Sequence, residues 1–314
     1  MAPVVVTEAD IEHFDTHGWC VIPDVMSQDE AAAGRAMMDE LLTADDCDPD
    51  GRRFQTRGTG PSAFPGWPTL SAAENGGPSR GGDITTRCDV MHPIHDARTA
   101  LGVVASAQVV APLLRSNGAG AGLRLIHQNW RRTLPTPPPE EGFPEYLPGQ
   151  PGVLSAERAG LHMDTGFLPR HYQTTPRSSY VLSLLAFSPV VSGGAPFLVG
   201  PGTYAAARAA SEALPPEYQA SVNAKGCYQE LRMVLMEQVG AARGQAMEAT
   251  MKPGSLLVFD PMLSHQGSAF REGVTHATGV GRYAQFQVWA DDAAIGDSLA
   301  GVPARGYSAP GRKY

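Results

Sequence analysis

The sequence predicts a mostly β protein in which helices precede an antiparallel core, and two patterns carry this prediction. Near the N-terminus, Thr7 with Asp10 and Ser27 with Glu30 have the spacing of helix capping boxes. From residue 122 onward, short apolar and aromatic runs alternate with turns rich in Gly and Pro, as is typical of antiparallel strands. We therefore expect a helical N-terminal part packed around a β core.

The N-terminal elements follow from local signals. The first helix is expected to end at Gly18, and a short strand to stop at Pro23. The second helix is expected to run as far as Leu42. Residues 44–90 are rich in Gly, Pro, Asp and Arg without periodicity, which predicts a long loop. Asp96 is expected to cap a further helix.

The core strands are predicted from their apolar runs, at residues 123–130, 179–187, 196–199, 256–259 and 283–289. Thr203, after the turn at 200–202, is expected to cap a helix. Residues 134–157 contain seven prolines, which argue against regular structure. This segment and residues 169–177 flank the predicted strand that contains His162, and we expect them to form a lid.

Composition narrows the class of protein. The 314 residues are 42% hydrophobic and 18% charged, with a net charge of −8, which is typical of a globular protein and disfavours nucleic-acid binding. No apolar run approaches membrane-spanning length, and no signal peptide is evident. The cysteines are scattered, so we expect free thiols and a cytoplasmic protein. We expect a single domain over residues 1–314 that acts on a small molecule. We expect the protein to be a monomer or a homodimer.

One cluster of residue types points to metal chemistry. His162 and Asp164 are two positions apart, so both side chains would point to one face of an extended strand. His265 follows a later predicted strand and could complete the set. Two histidines and one carboxylate form the facial triad that non-haem iron(II) oxygenases use. The spacing alone is weak evidence, because a buried structural histidine and a turn aspartate would give the same pattern.

The surrounding sequence strengthens the metal interpretation. Residues 193–204, GGAPFLVGPGTY, resemble the NGALWVVPGSH stretch of the phytanoyl-CoA dioxygenase (PhyH-like) family. Residues 252–260, KPGSLLVFD, resemble the segment that leads to that family's second iron-binding histidine, and residues 7–23 resemble its opening helix and strand. The order of these segments also matches, over roughly residues 7–290.

The resemblance implies a double-stranded β-helix, a jelly-roll or cupin-like core, at about residues 121–292. Helices at about 1–120 would flank it, and residues 293–314 would form a tail. It also implies Fe(II) held by His162, Asp164 and His265, with 2-oxoglutarate and O2 as cosubstrates. Relatives that halogenate have a small residue in place of this aspartate, so Asp164 indicates hydroxylation or a related oxidation such as desaturation or ring formation.

The resemblance further implies an arginine that binds the distal carboxylate of 2-oxoglutarate. Arg282 opens the last core strand as the family residue does, although it lies further from His265 than is usual; Arg271 is the competitor. Ser268 is a second candidate anchor, displaced by one position from the family's serine. On the strand at 123–130, either His127 with Asn129 or Gln128 with Trp130 should face the pocket, and we favour the first pair.

Other candidate residues and functions fit the sequence less well. His92 and His95 flank Pro93 and have no evident third ligand, while Cys227 lacks a histidine partner for nucleophilic chemistry. There are two alternative functions. One is a β-helix binding module without catalysis, and the other is a metal-dependent isomerase that does not use 2-oxoglutarate. Arg282 argues against the isomerase, since only a 2-oxoglutarate enzyme needs it. A small secondary metabolite and an amino-acid-like acid are both open as substrates.

Overall fold

The computed structural model describes residues 4–41, 85–88, 97–114, 123–133, 143, 145–163, 180–215, 217, 235–240, 244–268, 270–271, 273–274 and 281–291. Its helices are α1 Glu8–His17, α2 Gln28–Leu41, α3 Ala97–Leu114, α4 Ala156–Ala159 and α5 Thr203–Ala213. Its strands are β1 Trp19–Ile22, β2 Thr85–Cys88, β3 Leu123–Thr133, β4 Val153–Ser155, β5 Tyr180–Ala186, β6 Phe197–Val199, β7 Gln245–Ala249, β8 Leu256–Phe259, β9 His265–Gly267 and β10 Arg282–Asp291. Among these helices, none has the length and apolar character needed to cross a membrane.

The strands form two antiparallel sheets. The large sheet has the order β1-β8-β5-β10-β3-β2, and the small sheet has the order β4-β7-β6-β9. Alternation along each strand separates two apolar layers. Phe286 and Val288 of β10 pack with Phe197 of β6 in the interior between the sheets. Tyr283 and Trp289, at the interleaved positions, pack with α1 and α3 on the outer face of the large sheet. The predicted mostly β fold with N-terminal helices is confirmed.

Several predicted boundaries are also confirmed. Thr7 and Asp10 form a capping box at the start of α1, and Gly18 ends that helix in the left-handed conformation with φ of 76°. The five predicted core strands correspond to β3, β5, β6, β8 and β10. In β5, β6, β8 and β10 the described side chains are buried on both faces of the strand, which explains why these strands are apolar in the sequence.

Other elements correct the sequence predictions. β2 lies in the segment predicted as loop, where two threonines favour a strand that pairs with β3. β4 lies in the proline-rich segment predicted to lack regular structure, and α4 begins at its end. β4 forms because β7 provides its hydrogen-bonding partner. Thr203 is the first residue of α5, not its cap: Gly202 occupies the cap position, and no side-chain capping hydrogen bond forms there.

A polar seam, formed by Ser183, Gln285, Gln287 and Trp289, lies within the helix-facing side of the large sheet. The Ser183 hydroxyl and the Trp289 indole N–H donate to the Gln287 side-chain oxygen at 2.9 and 3.2 Å. The Gln287 amide donates to the Gln285 oxygen at 2.8 Å. A Cβ at Gly102 of α3 would lie 2.2 Å from that oxygen, so a larger residue there would displace the Gln285 side chain from its hydrogen bond.

The capping box of α2 gives a stability prediction. The Glu30 amide donates to the Ser27 hydroxyl oxygen at 3.2 Å, and the Ser27 amide donates to the Glu30 carboxylate at 2.8 Å. Ser27→Ala should therefore lower the free energy of unfolding by about 1 kcal/mol at neutral pH in urea denaturation. Ser27→Thr, which retains a capping hydroxyl, is the control.

The effect should depend on pH. Hydrogen bonds from the Ser27 side chain and backbone hold the pKa of Glu30 below its ordinary value. The stability from this carboxylate is thus present above its unfolded pKa and is lost as the pH falls through its folded pKa. The difference between the wild type and Ser27→Ala should narrow below about pH 4. An equal difference at neutral and acid pH would contradict this account.

Candidate metal centre

Two of the predicted ligands meet across the small sheet. His162 and His265 form a directly opposed antiparallel bridge. The His162 backbone amide donates to the His265 carbonyl oxygen at 2.9 Å, and the His265 amide donates to the His162 carbonyl oxygen at 2.7 Å. Directly opposed residues present their side chains on the same face. The imidazole ring centres accordingly lie 4.7 Å apart.

This separation fits two ligands of one metal ion. Imidazole nitrogens bind first-row divalent metals at about 2.1 Å, so two rings bound at right angles have centres roughly 4.5 Å apart. The observed 4.7 Å is close to that value without any rearrangement of the backbone. The separation of the two rings and their nitrogen donors therefore fits a divalent metal ion such as iron, and the role of His162 and His265 as its ligands stays a prediction.

The ring of His265 is fixed in one tautomer. Its Nδ1 lies 2.8 Å from the carbonyl oxygen of Leu263, which can only accept a hydrogen bond, so Nδ1 carries the proton. The lone pair is then on Nε2, the nitrogen that can bind a metal. The ring is buried, with Phe197 stacked at 5.2 Å and Phe259 tilted at 4.7 Å between ring centres.

The segment that carries His265 is held by the turn after β6. The Gly200 amide donates to the Ser264 carbonyl at 2.8 Å, and the Ser264 amide donates to the Thr203 hydroxyl oxygen at 3.0 Å. That hydroxyl donates in turn to the Gly200 carbonyl at 2.7 Å. Sequence reasoning missed this role of Thr203, and the Gly-Pro-Gly-Thr turn was the available signal.

Asp164, the third predicted ligand, lies outside the described residues. Within those residues, no group of three histidine, cysteine, aspartate or glutamate side chains converges on one point. His162 is followed by Met163, which is buried in the interior and is the last described residue before Tyr180. The role of Asp164 stays a prediction.

Arg282 lies on the interior side of β10. It is two positions before Ala284 and four before Phe286, both of which belong to the apolar layer between the sheets. The guanidinium is buried, and its Nη2 donates to the Thr133 hydroxyl at 2.8 Å while Nη1 donates to the Ala195 carbonyl. These bonds fix the plane of the fork.

Arg271 lies elsewhere. Its guanidinium carbon is 4.1 Å from the ring centre of Tyr146. Tyr146 packs with Leu154, Leu198 and Ala246 on the outer face of the small sheet. Of the two candidate arginines, Arg282 is therefore the one that shares the interior with His265.

The other predicted anchors differ in their surroundings. The Ser268 hydroxyl donates to the Pro196 carbonyl, to which the Ser268 amide also donates. This bonding favours a structural role for Ser268, and its contact with a cosubstrate stays a prediction. In the register of β10 with β3, His127 lies opposite Val288 and Asn129 opposite Phe286. Which of the two pairs faces the pocket, His127 with Asn129 or Gln128 with Trp130, stays a prediction.

Some predicted features lie wholly or partly outside the described residues. His92, His95, Cys227 and residues 169–177 are outside them, as are 134–142 and Pro144 of the proline-rich segment. Cys20 is buried and free, as predicted for a thiol. Burial raises the pKa of the Cys20 thiol, which disfavours the reactive thiolate.

The arrangement of the sheets matches a known class of fold. The non-haem α-ketoglutarate-dependent carbocyclase SnoK, from nogalamycin biosynthesis, superposes with a TM-score of 0.50 at 15% sequence identity, covering 97% of this chain and 94% of that one. HygX from Streptomyces hygroscopicus, with nickel and 2-oxoglutarate bound, gives a TM-score of 0.48 at 17% identity, covering 91% of this chain and 88% of that one. At such identities the likeness to SnoK concerns the fold, a double-stranded β-helix.

The family follows from the sequence. The family model described as phytanoyl-CoA dioxygenase (PhyH) matches residues 14–273, and the chain belongs to this family. The predicted resemblance is thereby confirmed, and with it the class of enzyme, a non-haem dioxygenase that depends on Fe(II), 2-oxoglutarate and O2. A comparison with curated protein sequences finds no match.

The Thr203 bridge gives a testable prediction. Thr203→Val keeps the side-chain shape but leaves the buried Ser264 amide and Gly200 carbonyl without this hydroxyl, which should lower the free energy of unfolding by about 1–3 kcal/mol. Because the same amide fixes the segment before His265, iron(II) affinity measured by titration should also fall. Thr203→Ser, which keeps the hydroxyl, should resemble the wild type. Wild-type stability and affinity in Thr203→Val would contradict the assigned role.

Proposed function

We propose that this enzyme hydroxylates an unactivated C–H bond of a small organic molecule and couples that oxidation to the conversion of 2-oxoglutarate to succinate and CO2. The observation that carries the proposal is the opposed histidine pair, His162 and His265, in the same interior as the buried guanidinium of Arg282. Facial iron sites need adjacent imidazoles with open positions beside them. Binding 2-oxoglutarate also calls for a cation that pairs with its distal carboxylate.

His162, Asp164 and His265 would hold the iron. When bound, Fe(II) activates O2 together with 2-oxoglutarate for attack on the substrate C–H bond. This role is supported by the backbone bridge, which sets His162 and His265 side by side, and by the Leu263 carbonyl, which favours the His265 tautomer with its lone pair on Nε2. The apolar surroundings of His265, formed by Phe197 and Phe259, exclude water from one side of the site.

Arg282 would bind the distal carboxylate of 2-oxoglutarate. A guanidinium fork matches a carboxylate through two parallel charge-assisted hydrogen bonds. Its position at the first residue of β10, on the interior side, supports this role. His127 and Asn129 would lie along the neighbouring strand β3, opposite interior residues of β10. Asp164 would occupy the place that a halide takes in halogenating relatives, which favours hydroxylation.

The cosubstrate site can be tested by spectroscopy. Anaerobic addition of Fe(II) and 2-oxoglutarate to the full-length protein should produce a weak visible metal-to-ligand charge-transfer band. His162→Ala should abolish the band while the circular dichroism spectrum stays unchanged, because one of the imidazole ligands is lost. Absence of the band in the wild type would refute the proposed use of 2-oxoglutarate. Succinate release stimulated by candidate metabolites would then identify the substrate.

The arginine assignment has its own test. Arg282→Gln removes the fork and should weaken 2-oxoglutarate binding by about 100-fold, as expected for the loss of a bidentate charged pair of roughly 3 kcal/mol. Arg271→Gln should change the affinity by no more than about tenfold, since Arg271 contacts Tyr146 on the outer face. The reverse order of effects in titrations of the charge-transfer band would reassign the anchor to Arg271.

A further inference from the structure

The loop before β6, residues 191–196, contacts Arg282 directly. The Ala195 carbonyl accepts the hydrogen bond from Nη1 of Arg282. Ala195 has φ of 56° and Gly193 has φ of 70°, so two residues of this loop are in the left-handed region. For alanine that conformation is unfavourable, and it persists only where neighbouring contacts hold the backbone.

Glu248 of β7 holds the first half of the loop. Its carboxylate accepts hydrogen bonds from the Ser192 hydroxyl at 2.6 Å and from the Gly193 amide at 3.2 Å. It accepts a third from the Tyr146 hydroxyl at 2.8 Å. Glu248 is itself fixed, because its amide donates to the Gly152 carbonyl at 2.9 Å. A single carboxylate thus ties the loop to β7 and to Tyr146.

Further contacts surround this carboxylate. The Arg271 guanidinium stacks over the Tyr146 ring, and the Arg271 amide donates to the Gly193 carbonyl at 2.8 Å. Burial raises the pKa of Tyr146, and the nearby Glu248 carboxylate raises it further, although the hydrogen bond with Ser192 acts in the opposite direction. The Tyr146 hydroxyl therefore keeps its proton and remains a donor. At the other end of the loop, the Ser268 hydroxyl and amide hold the Pro196 carbonyl. Ala195 lies between these two fixed points.

We propose that Glu248 is a positioning residue for the 2-oxoglutarate site, acting through residues 192–195 on the guanidinium of Arg282. The inference rests on the proposed function, in which Arg282 binds the distal carboxylate of the cosubstrate. Without the carboxylate, the left-handed turn at Gly193 and Ala195 loses its bonds from Ser192 and Gly193 to β7, and the carbonyl that orients the guanidinium shifts. A bidentate pair depends on the plane of the fork, so a small rotation weakens it.

A purely structural role would have different consequences. Glu248 lies on the small sheet, and its loss would then lower stability or affect every ligand of the interior equally. The positioning role affects only ligands that use Arg282. An α-keto acid without a distal carboxylate, such as 2-oxobutyrate, can bind the iron through its keto acid end and makes no ion pair with Arg282. It therefore separates the two roles.

The experiment compares Glu248→Gln with the wild type as full-length, Fe(II)-loaded, anaerobic protein. Glu248→Gln should raise the dissociation constant for 2-oxoglutarate by about tenfold, the size expected for one misaligned hydrogen bond to a charged group. The dissociation constants for Fe(II) and 2-oxobutyrate should stay at their wild-type values. Glu12→Gln, which changes an exposed carboxylate of α1, is the matched control and should leave all three constants unchanged.

Two further variants complete the test. Arg282→Gln should remove the effect, so that adding Glu248→Gln to it changes 2-oxoglutarate affinity no further. Ser192→Ala, a smaller change that removes one of the three bonds, should show the same selectivity with a weaker effect and carries the test if Glu248→Gln does not fold.

The contrary outcomes are distinguishable. Unchanged 2-oxoglutarate affinity in Glu248→Gln, with a large loss in Arg282→Gln, would overturn the positioning role and leave the proposed function intact. Equal weakening of 2-oxoglutarate and 2-oxobutyrate would also overturn it, in favour of a structural role. Wild-type 2-oxoglutarate affinity in Arg282→Gln would overturn the anchor assignment, and the positioning role with it.

Discussion

The backbone bridge between His162 and His265 is the constraint on which the candidate metal centre depends. Its two hydrogen bonds join segments that are about a hundred residues apart in the sequence, and they set both residues directly opposite each other. A shift of one residue would turn one imidazole to the outer face of the small sheet, because side chains alternate along a strand. The distance between the rings therefore follows from main-chain pairing, not from side-chain rotamers alone.

The rest of the interior is arranged around that pair by short connections. The turn at Gly200 and Thr203 fixes the residue before His265, and the loop at Ala195 contacts the guanidinium of Arg282. Both connections adjoin β6, a strand of only three residues. One short strand thus links the metal side of the site to the side proposed for the cosubstrate, and its Phe197 ring stacks on His265.

The sequence predicted the parts of the fold that burial makes visible. β5, β8 and β10 have apolar runs long enough to stand out, and the capping boxes of α1 and α2 are local patterns. β7, with the sequence QAMEA, and β2, with the sequence TTRC, carry no such run. They are strands because their partners offer hydrogen bonds, and that information is non-local.

In the candidate site too, some features follow from local sequence patterns and others only from contacts between distant segments. The histidines were found from spacing and family resemblance, whereas the choice between Arg282 and Arg271 needed the face of each residue. Alternation along β10 supplies that face for Arg282, and the Tyr146 contact supplies it for Arg271. The bridge from Thr203 to Ser264 and the bonds of Glu248 to residues 192–193 were missed, because both join residues that are distant in sequence.

The polar seam on the opposite face of β10 has a consequence for how this strand finds its place. Gln285 and Gln287 are fully buried, and within the seam under α3 the Gln287 amide donates to the Gln285 side-chain oxygen. If β10 paired one residue out of step, both amides would enter the apolar interior and Arg282 would turn toward the helices. Burying an amide without a partner costs about 1–3 kcal/mol. The seam therefore helps to specify the register of β10, because it disfavours the shifted pairing that would remove the guanidinium from the site.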